Sequence, residues 1–545
     1  MLEKQVINHR QMAWIVGTLL TGGGFLSTQN ELIRIARMDA WLSYIVPVFY
    51  AFGICFAIAY LARKFPGKHL FEISFLAAGK WLGGLINLLM LFHIWLILLR
   101  NISGFTGFAK IILLPRTPEA VLIFMFLLLA MYFGRTGIET LVRTNDIFFP
   151  VFVTAALILP FTLINEMHIR FLEPPLISSF ARLLGANTLM TGFYGDVFVA
   201  GVFMHTLASS RELKASMRHG VVSGTFILTI FVGMELLVFG SRIPANLLYP
   251  NYNLVQQIHL TDFLDRVDLI MLSIWFFIVS TKVLIIYQAF LVGLASLFGQ
   301  RDYRIFNKPA VLLLSITTLT AFKNQTQAFV FDNYGSLMIV LLYQPLMFIL
   351  LPVLAALRKP SRKTGAAGED GGGTPAPSGP AEDPSGSGRT ACQASVAGTE
   401  AAGEQTGRGA GTSRPDAGES IARNAGAGRA DSGGSAGRGA GAADGADGRK
   451  RAEGGGSGSP SPGRGDIRGS GSFLQQLAYR KDPRSWNRRT NLLLCAGLAA
   501  VALGIWLTRG HAAAGVIMCA AYALCLLLAL LTSYMEIVTS TLKQK

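Results

Sequence analysis

Cysteine, histidine and charge are all scarce in this chain. Five cysteines and eight histidines are spread over 545 residues. Cys55, Cys495, Cys519 and Cys525 fall in apolar runs and Cys392 in a polar stretch, so no spacing fits a disulfide framework or a zinc site. No metal or other cofactor is expected. Charged residues make up 15% of the chain against 51% hydrophobic ones, with a mean hydropathy of +0.45, which excludes an ordinary soluble globular protein. A nucleophile–base pairing and a phosphate-cradling loop are also missing, so catalysis is not expected. The net charge of +16 could suit nucleic acid. Its location excludes that partner, because the excess lies in and beside the apolar runs.

What is present is a series of apolar runs near the roughly 20 residues that cross a bilayer as helix. The fold class expected is an all-α polytopic membrane protein. Ten spans fall at approximately 11–33, 40–62, 82–113, 119–134, 147–165, 187–209, 218–240, 267–298, 308–322 and 334–357. Met1-Leu2-Glu3-Lys4 leads into the first span without a small-residue cleavage site, so that span is expected to be retained. With a cytoplasmic N-terminus, eighteen Lys and Arg fall in the inside loops and nine on the opposite side, the bias found in membrane proteins. Both ends of the ten-span unit then face the cytoplasm.

Residues 361–470 are a different material. They include thirty glycines, no Leu, Met, Phe, Trp or Tyr, and thirteen basic against thirteen acidic side chains. With so little to bury, a disordered Gly/Ala/Ser-rich linker is expected. After it come the basic residues Arg480, Lys481, Arg484, Arg488 and Arg489 and two apolar runs near 491–508 and 512–534. The expected division is 1–360 as the ten-span domain, 361–470 as linker, and 471–545 as basic segment plus two-span hairpin.

Within the spans, two interruptions stand out. Thr21-Gly22-Gly23-Gly24-Phe25 breaks span 1, and Gly192-Phe193-Tyr194-Gly195-Asp196 breaks span 6. Glycine disfavours helix interiors, and non-helical backbone in a membrane is tolerated only in protein or along a cavity. Close helix packing through small residues is the simpler reading of either run. Their placement favours a site, because each opens a five-span half, and such paired interruptions mark transporter-type binding sites. Five is odd, so the second half is inverted relative to the first. Exposed amides at a helix N-terminus suit a carboxylate and free carbonyls an ammonium or cation, which favours an amino acid. Phe193 and Tyr194 could close over the solute or simply pack.

Ionisable groups inside spans are costly and are functional candidates by default. Asp196 could meet an ammonium or a proton. Lys282, beside Thr281 and deep in span 8, needs a partner or a lowered pKa, and could replace a sodium ion between spans 8 and 1 or shuttle a proton. Arg100 and Glu235 are weaker candidates, since both could snorkel to an interface. His93 and His205 read as satisfied core residues.

Taken in order, Gly22-Gly23-Gly24-Phe25-Leu26, Phe65-Pro66-Gly67-Lys68, Gly137-Ile138-Glu139-Thr140-Leu141-Val142-Arg143 and Phe263-Leu264-Asp265-Arg266 leading to Trp275 and Lys282 resemble the B subunit of bacterial spore germinant receptors. That is the spore-permease family of the amino acid–polyamine–organocation superfamily, and the resemblance covers about 1–360. It implies a leucine-transporter-like 5+5 inverted repeat, the spore inner membrane, a small-molecule germinant, and two protein partners: an A-subunit membrane protein and a C-subunit lipoprotein. The terminal hairpin, absent from typical members, has the size of the small two-span D subunit of some receptors or is an unrelated docking hairpin. The expected function is nutrient sensing, with an amino acid as the favoured ligand. The alternatives are a proton-coupled amino acid transporter and a membrane scaffold with a vestigial pocket.

Overall fold

The computed structural model describes residues 7–23, 28–172, 176–207, 210–258, 267–358, 483–507 and 512–542. Gly24, Phe25, the Phe263–Arg266 motif, Arg480, Lys481 and the linker expected at 361–470 lie outside them.

α1 (His9–Thr21) opens with a capping box in which the Asn8 amide donates to Gln11 Oε1 at 3.0 Å. It stops at the glycine run. α2 (Gln29–Ala36) follows, passing through a 3-10 segment, Arg37–Tyr44, into α3 (Ile45–Lys64). α4 (Leu70–Phe108) is bent at Gly79, whose φ of +83° needs a residue without a side chain, and ends in a π turn at Ala109–Leu113. α5 (Glu119–Phe133), α6 (Ile138–Thr162) and α7 (Phe180–Tyr194) come next, and α7 continues as a 3-10 run over Gly195–Thr206. α8 (Ser210–Phe239), α9 (Pro250–Gln256), α10 (Val267–Leu297) and α11 (Asn307–Ala321) precede α12 (Gln325–Val330). A π turn at Phe331–Gly335 joins α12 to α13 (Ser336–Leu357). α14 (Pro483–Leu507) and α15 (Ala512–Leu542) complete the chain and pack against each other.

Among the described residues, every stretch read as a span is largely helical, with ends displaced by up to twelve residues. Among the described residues, seven helical stretches are long and apolar enough to cross a bilayer. α5 and α11, at 15 residues each, reach only about 22 Å at 1.5 Å per residue, against a hydrocarbon core of about 30 Å. The outer surface is apolar: Trp81, Phe161, Phe180, Leu342 and Leu357 are all more than 70% exposed. That is how a helical body meets lipid rather than water. The protein is an integral membrane protein.

Small residues set the tightest packing. Gly220 and Gly224, four apart on α8, let α1 approach so closely that a methyl at Gly224 would sit 3.0 Å from Leu20 Cβ. α10 runs through the middle, packed on α1, α4 and α6. This arrangement carries Lys282 to the place where α1 stops.

Candidate functional site: a buried charge network at the span 1 interruption

Thr21, the last residue of α1, turns its hydroxyl back to the Gly17 carbonyl at 3.0 Å, and the Gly22 amide donates to Thr18 O at 2.9 Å. α10 crosses here. A methyl at Gly22 would lie 2.9 Å from Lys282 Cβ, and one at Gly23 would meet Lys282 Nζ. The glycines therefore clear the space through which a lysine side chain passes. Thr281, beside it, is buried and donates within its own helix to Phe277 O at 2.8 Å.

Lys282 Nζ donates to Asp196 Oδ2 at 3.2 Å, and Arg100 Nη2 donates to the same oxygen at 2.5 Å. Arg100 Nη1 reaches Asp332 Oδ1 at 2.8 Å, and the guanidinium lies 4.8 Å from the centre of the Phe193 ring. Lys282, Asp196 and Arg100 are at most 3% exposed. Two cations and two anions alternate, so the network carries no net formal charge and pairing offsets the cost of burial. Among the described residues, Asp196 Oδ1 has no hydrogen-bond partner.

The expectation that Arg100 and Glu235 snorkel to an interface is corrected. Arg100 is central because Asp196 and Asp332 hold it there. Glu235 is fully buried on α8, near the Tyr44 hydroxyl, and neither of its carboxylate oxygens has a hydrogen-bond partner among the described residues.

The second interruption takes a different form from the expected break. α7 is not unwound: Tyr194 and Gly195 keep right-handed helical angles, and the winding tightens from α to 3-10. A 3-10 run of twelve residues is far longer than the usual three or four. Gly192 and Gly195 face α13, where added methyls would lie 3.0 Å from Leu337 Cα and 2.8 Å from Gln344 Oε1. They make room for a neighbouring helix. Gln344 Nε2 also donates to the Gly195 carbonyl at 3.2 Å. Tyr194 is buried with its hydroxyl 2.8 Å from Thr225 Oγ1, so Phe193 and Asp196 are the residues of this stretch that meet the charge network.

Sequence reasoning missed Asp332, placing it in the loop before span 10. The π turn at Phe331–Gly335 extends that span backwards and brings the carboxylate inside. An aspartate next to an aromatic-rich apolar run was the available signal. His93 is a core residue, stacked on Phe198 and bonded to the Tyr343 hydroxyl. His205 is not: it stands 5.5 Å from His69 on the wall of a cavity.

One cavity touches the network, and a second shares no lining residue with it. A small one, of about 20 Å3, is lined by Gly22, Gly23, Arg100, Asn101, Trp275 and Asp332 among others. That is room for about one water. The larger one, about 700 Å3, opens among Gly67, Lys68 and His69 of the α3–α4 loop, Phe203, His205 and Thr206, Gln288 on α10 and Arg301. Two of the motifs quoted above, Phe65–Lys68 and Gly137–Arg143, contribute to it through Gly67, Lys68 and Ile138. Ile7, just before α1, lies at this end, because its amide donates to Thr206 O at 3.0 Å. Burial pushes the His69 imidazole down to about 3, helped by His205 and Lys68 beside it. The opposite end is tied shut around α2. Tyr334 donates to Glu31 at 2.5 Å, Arg34 pairs with Glu31 at 2.6 Å, and Arg34 and Asn30 donate to the carbonyls of Ala245 and Leu247.

Residues 6–330 match the protein family described as Spore germination protein. YfkT, a Bacillus subtilis (strain 168) protein named for spore germination, is 27% identical over 329 residues, spanning 60% of this chain and 88% of its own. Spore germination protein A2 of the same organism is 23% identical, over 67% of this chain and all of its own. Spore germination protein KB, also from that organism, is 22% identical over 68% of this chain and 99% of its own. Among solved structures, the nucleobase-cation-symport-1 family transporter Mhp1 aligns with a TM-score of 0.47 at 13% identity, over 64% of this chain and 78% of that one. MhsT in complex with L-phenylalanine aligns at 0.44 and 12%, over 65% and 96%.

Proposed function

Since the chain belongs to the family of spore germination proteins, we propose that it is the nutrient-sensing subunit of a germination receptor. In this reading an amino acid binds between the span 1 interruption and the Lys282–Asp196–Arg100–Asp332 network. The observation that carries it is the coincidence of three things at one buried point: backbone freed from a helix, a lysine ammonium lying against that backbone, and a carboxylate with one oxygen unused. The ligand ammonium takes the free acceptor of Asp196. Its carboxylate is held by the backbone around Gly22–Gly24 and Phe25 and by the N-terminal amides of α2, with Phe193 in the wall. Lys282, with Thr281, Arg100 and Glu235 as further candidates, reports occupancy by changing partners.

The geometry gives this reading a direction. A cavity of about 20 Å3 admits no amino acid, so ligand requires another conformation and shifts the population toward it by its difference in affinity. The 700 Å3 cavity at the Ile7 end is the open approach in the present state, and the Glu31–Tyr334 and Glu31–Arg34 contacts hold the far end. The same reading takes the body, 1–360, as a leucine-transporter-like 5+5 repeat in the spore inner membrane with both termini cytoplasmic. After the polar, glycine-rich tract at 361–470, it takes 471–545 as a basic segment with a two-span membrane hairpin. Its partners are an A-subunit membrane protein and a C-subunit lipoprotein.

The large cavity favours one second reading, a proton-coupled amino acid transporter that completes the cycle. The test is germination of a receptor-deletion strain complemented with this gene and its partners, scanned against single amino acids and sugars. Lys282→Met is expected to abolish nutrient-triggered release of spore ions while the protein still folds and inserts. Unchanged release in that mutant sinks the sensing role of the network. Saturable, protonophore-sensitive uptake into proteoliposomes selects the transporter.

A further inference from the structure

Arg218 is the ninth residue of α8 and is buried. Its hydrogen-bond and ion-pair partners among the described residues both come from the C-terminal helices. Nη1 donates to Asn487 Oδ1 on α14, and Nη2 pairs with Glu536 Oε2 on α15. Among its described residues, the ten-span body thus offers this guanidinium no carboxylate of its own. A buried cation on an apolar helix face is strongly unfavourable unless an anion meets it at the same depth. The pairing is embedded in an apolar seam, with Leu42 and Val222 of the body against Leu494, Leu526 and Ala529 of the pair. Trp41 contacts Tyr522 at 5.4 Å between ring centres.

Residues 483–542 lie beyond the family match, which ends at 330. Their seat is nonetheless specific: one charge, one amide and one aromatic contact are matched across it. The seat also reaches toward the candidate site. Tyr522 lies within electrostatic reach of Tyr194, whose hydroxyl bonds to Thr225 on α8.

We propose that α14–α15 is a partner subunit carried in cis, which docks on the α8 face of the body by placing Glu536 on Arg218. The partner this face selects is a two-helix membrane element with a carboxylate at the depth of Arg218 and an aromatic ring opposite Trp41. The inference stands on the seam itself and is independent of which ligand, if any, the charge network binds.

The test uses the full chain with one protease site inserted between Gly411 and Gly441 and an N-terminal tag. After cleavage in detergent, the body is captured and the retained C-terminal fragment is measured. The wild-type fragment stays bound. Arg218→Glu lowers retention by about tenfold or more, the equivalent of about 1.4 kcal/mol, and adding Glu536→Arg to that variant restores it. Wild-type retention in Arg218→Glu, or a double swap that binds no better than the single, overturns the proposal. If Arg218→Glu does not accumulate, Glu536→Gln and Glu536→Arg leave the body unaltered. Undiminished retention of both fragments overturns the proposal equally, and loss in both supports it.

Discussion

The two helix interruptions look alike in sequence and differ in what their glycines make room for. At Gly22 and Gly23 the absent side chains clear a path for Lys282, and the helix ends. At Gly192 and Gly195 they clear a path for the backbone and side chains of α13, and the helix only tightens into a 3-10 run. A glycine run in a membrane helix therefore does not by itself signal a binding site. What the missing methyl would have struck decides its role: a flexible ionic side chain in the first case, a packed helix in the second. Asp196 joins the two, since it follows the second run and is bonded to the lysine that fills the first.

The largest expected effect comes from breaking that join. Asp196→Ala leaves the Lys282 and Arg100 cations facing each other with Asp332 as the remaining anion, and removing one partner from a buried pair costs about 3–5 kcal/mol. Chemical denaturation of the purified protein measures this, and a loss under about 1 kcal/mol would mean that the network is solvated in the membrane. Next comes the packing run. Gly192→Val forces added bulk against Leu337 and is expected to cost about 1–3 kcal/mol while leaving the nutrient profile unchanged. An altered profile at normal stability would make Gly192 a ligand contact and erase the contrast.

The C-terminal end of the 3-10 run provides a third probe. His69 packs against His205 there and stays neutral in the folded protein down to about pH 3. The unfolded chain takes up a proton near its ordinary value of 6.5. Stability is therefore untouched by this group above that value and falls as the pH drops below it, by about 2 kcal/mol at pH 5. His69→Gln should flatten that part of the stability profile; an unchanged acid slope places His69 in contact with water. The smallest stability effect is expected at Gly23→Ala, about 1 kcal/mol, since the new methyl meets the movable end of Lys282 and, at 3.0 Å, Asn101 Oδ1. Its nutrient response should nevertheless weaken, because the ammonium is displaced from Asp196. Equal losses of stability at Gly23→Ala and Gly192→Val would show that both runs only pack.

Much of the fold was legible in order and approximate extent, because a bilayer demands apolar helices of a set length and hydropathy reads that demand directly. The ends were less legible. Arg218 and Asp332 were read as loop or loop-edge charges because neither lies in a long uncharged run, although helix continues through both. Within the site, Lys282 and Asp196 stood out for being ionisable in apolar surroundings. Arg100 was underrated, since an arginine near a span's middle and one snorkelling from its end look the same until the opposing carboxylates are placed.

The sequence by itself determined that this is a helical membrane protein of the spore germination family, interrupted in span 1, with a lysine deep in span 8 and a polar, glycine-rich tract before two further apolar runs. These follow from composition and local pattern, which depend on neighbours along the chain. Only the tertiary structure decided that Lys282 lies against Gly23, that Asp196 bridges it to Arg100, that Gly192 and Gly195 serve α13, and that Arg218 finds its anion in Glu536. Each is a meeting of side chains from helices up to about 320 residues apart in sequence. In a medium that screens little, such meetings are set by which charges are matched across packed helices, and no local pattern records that match.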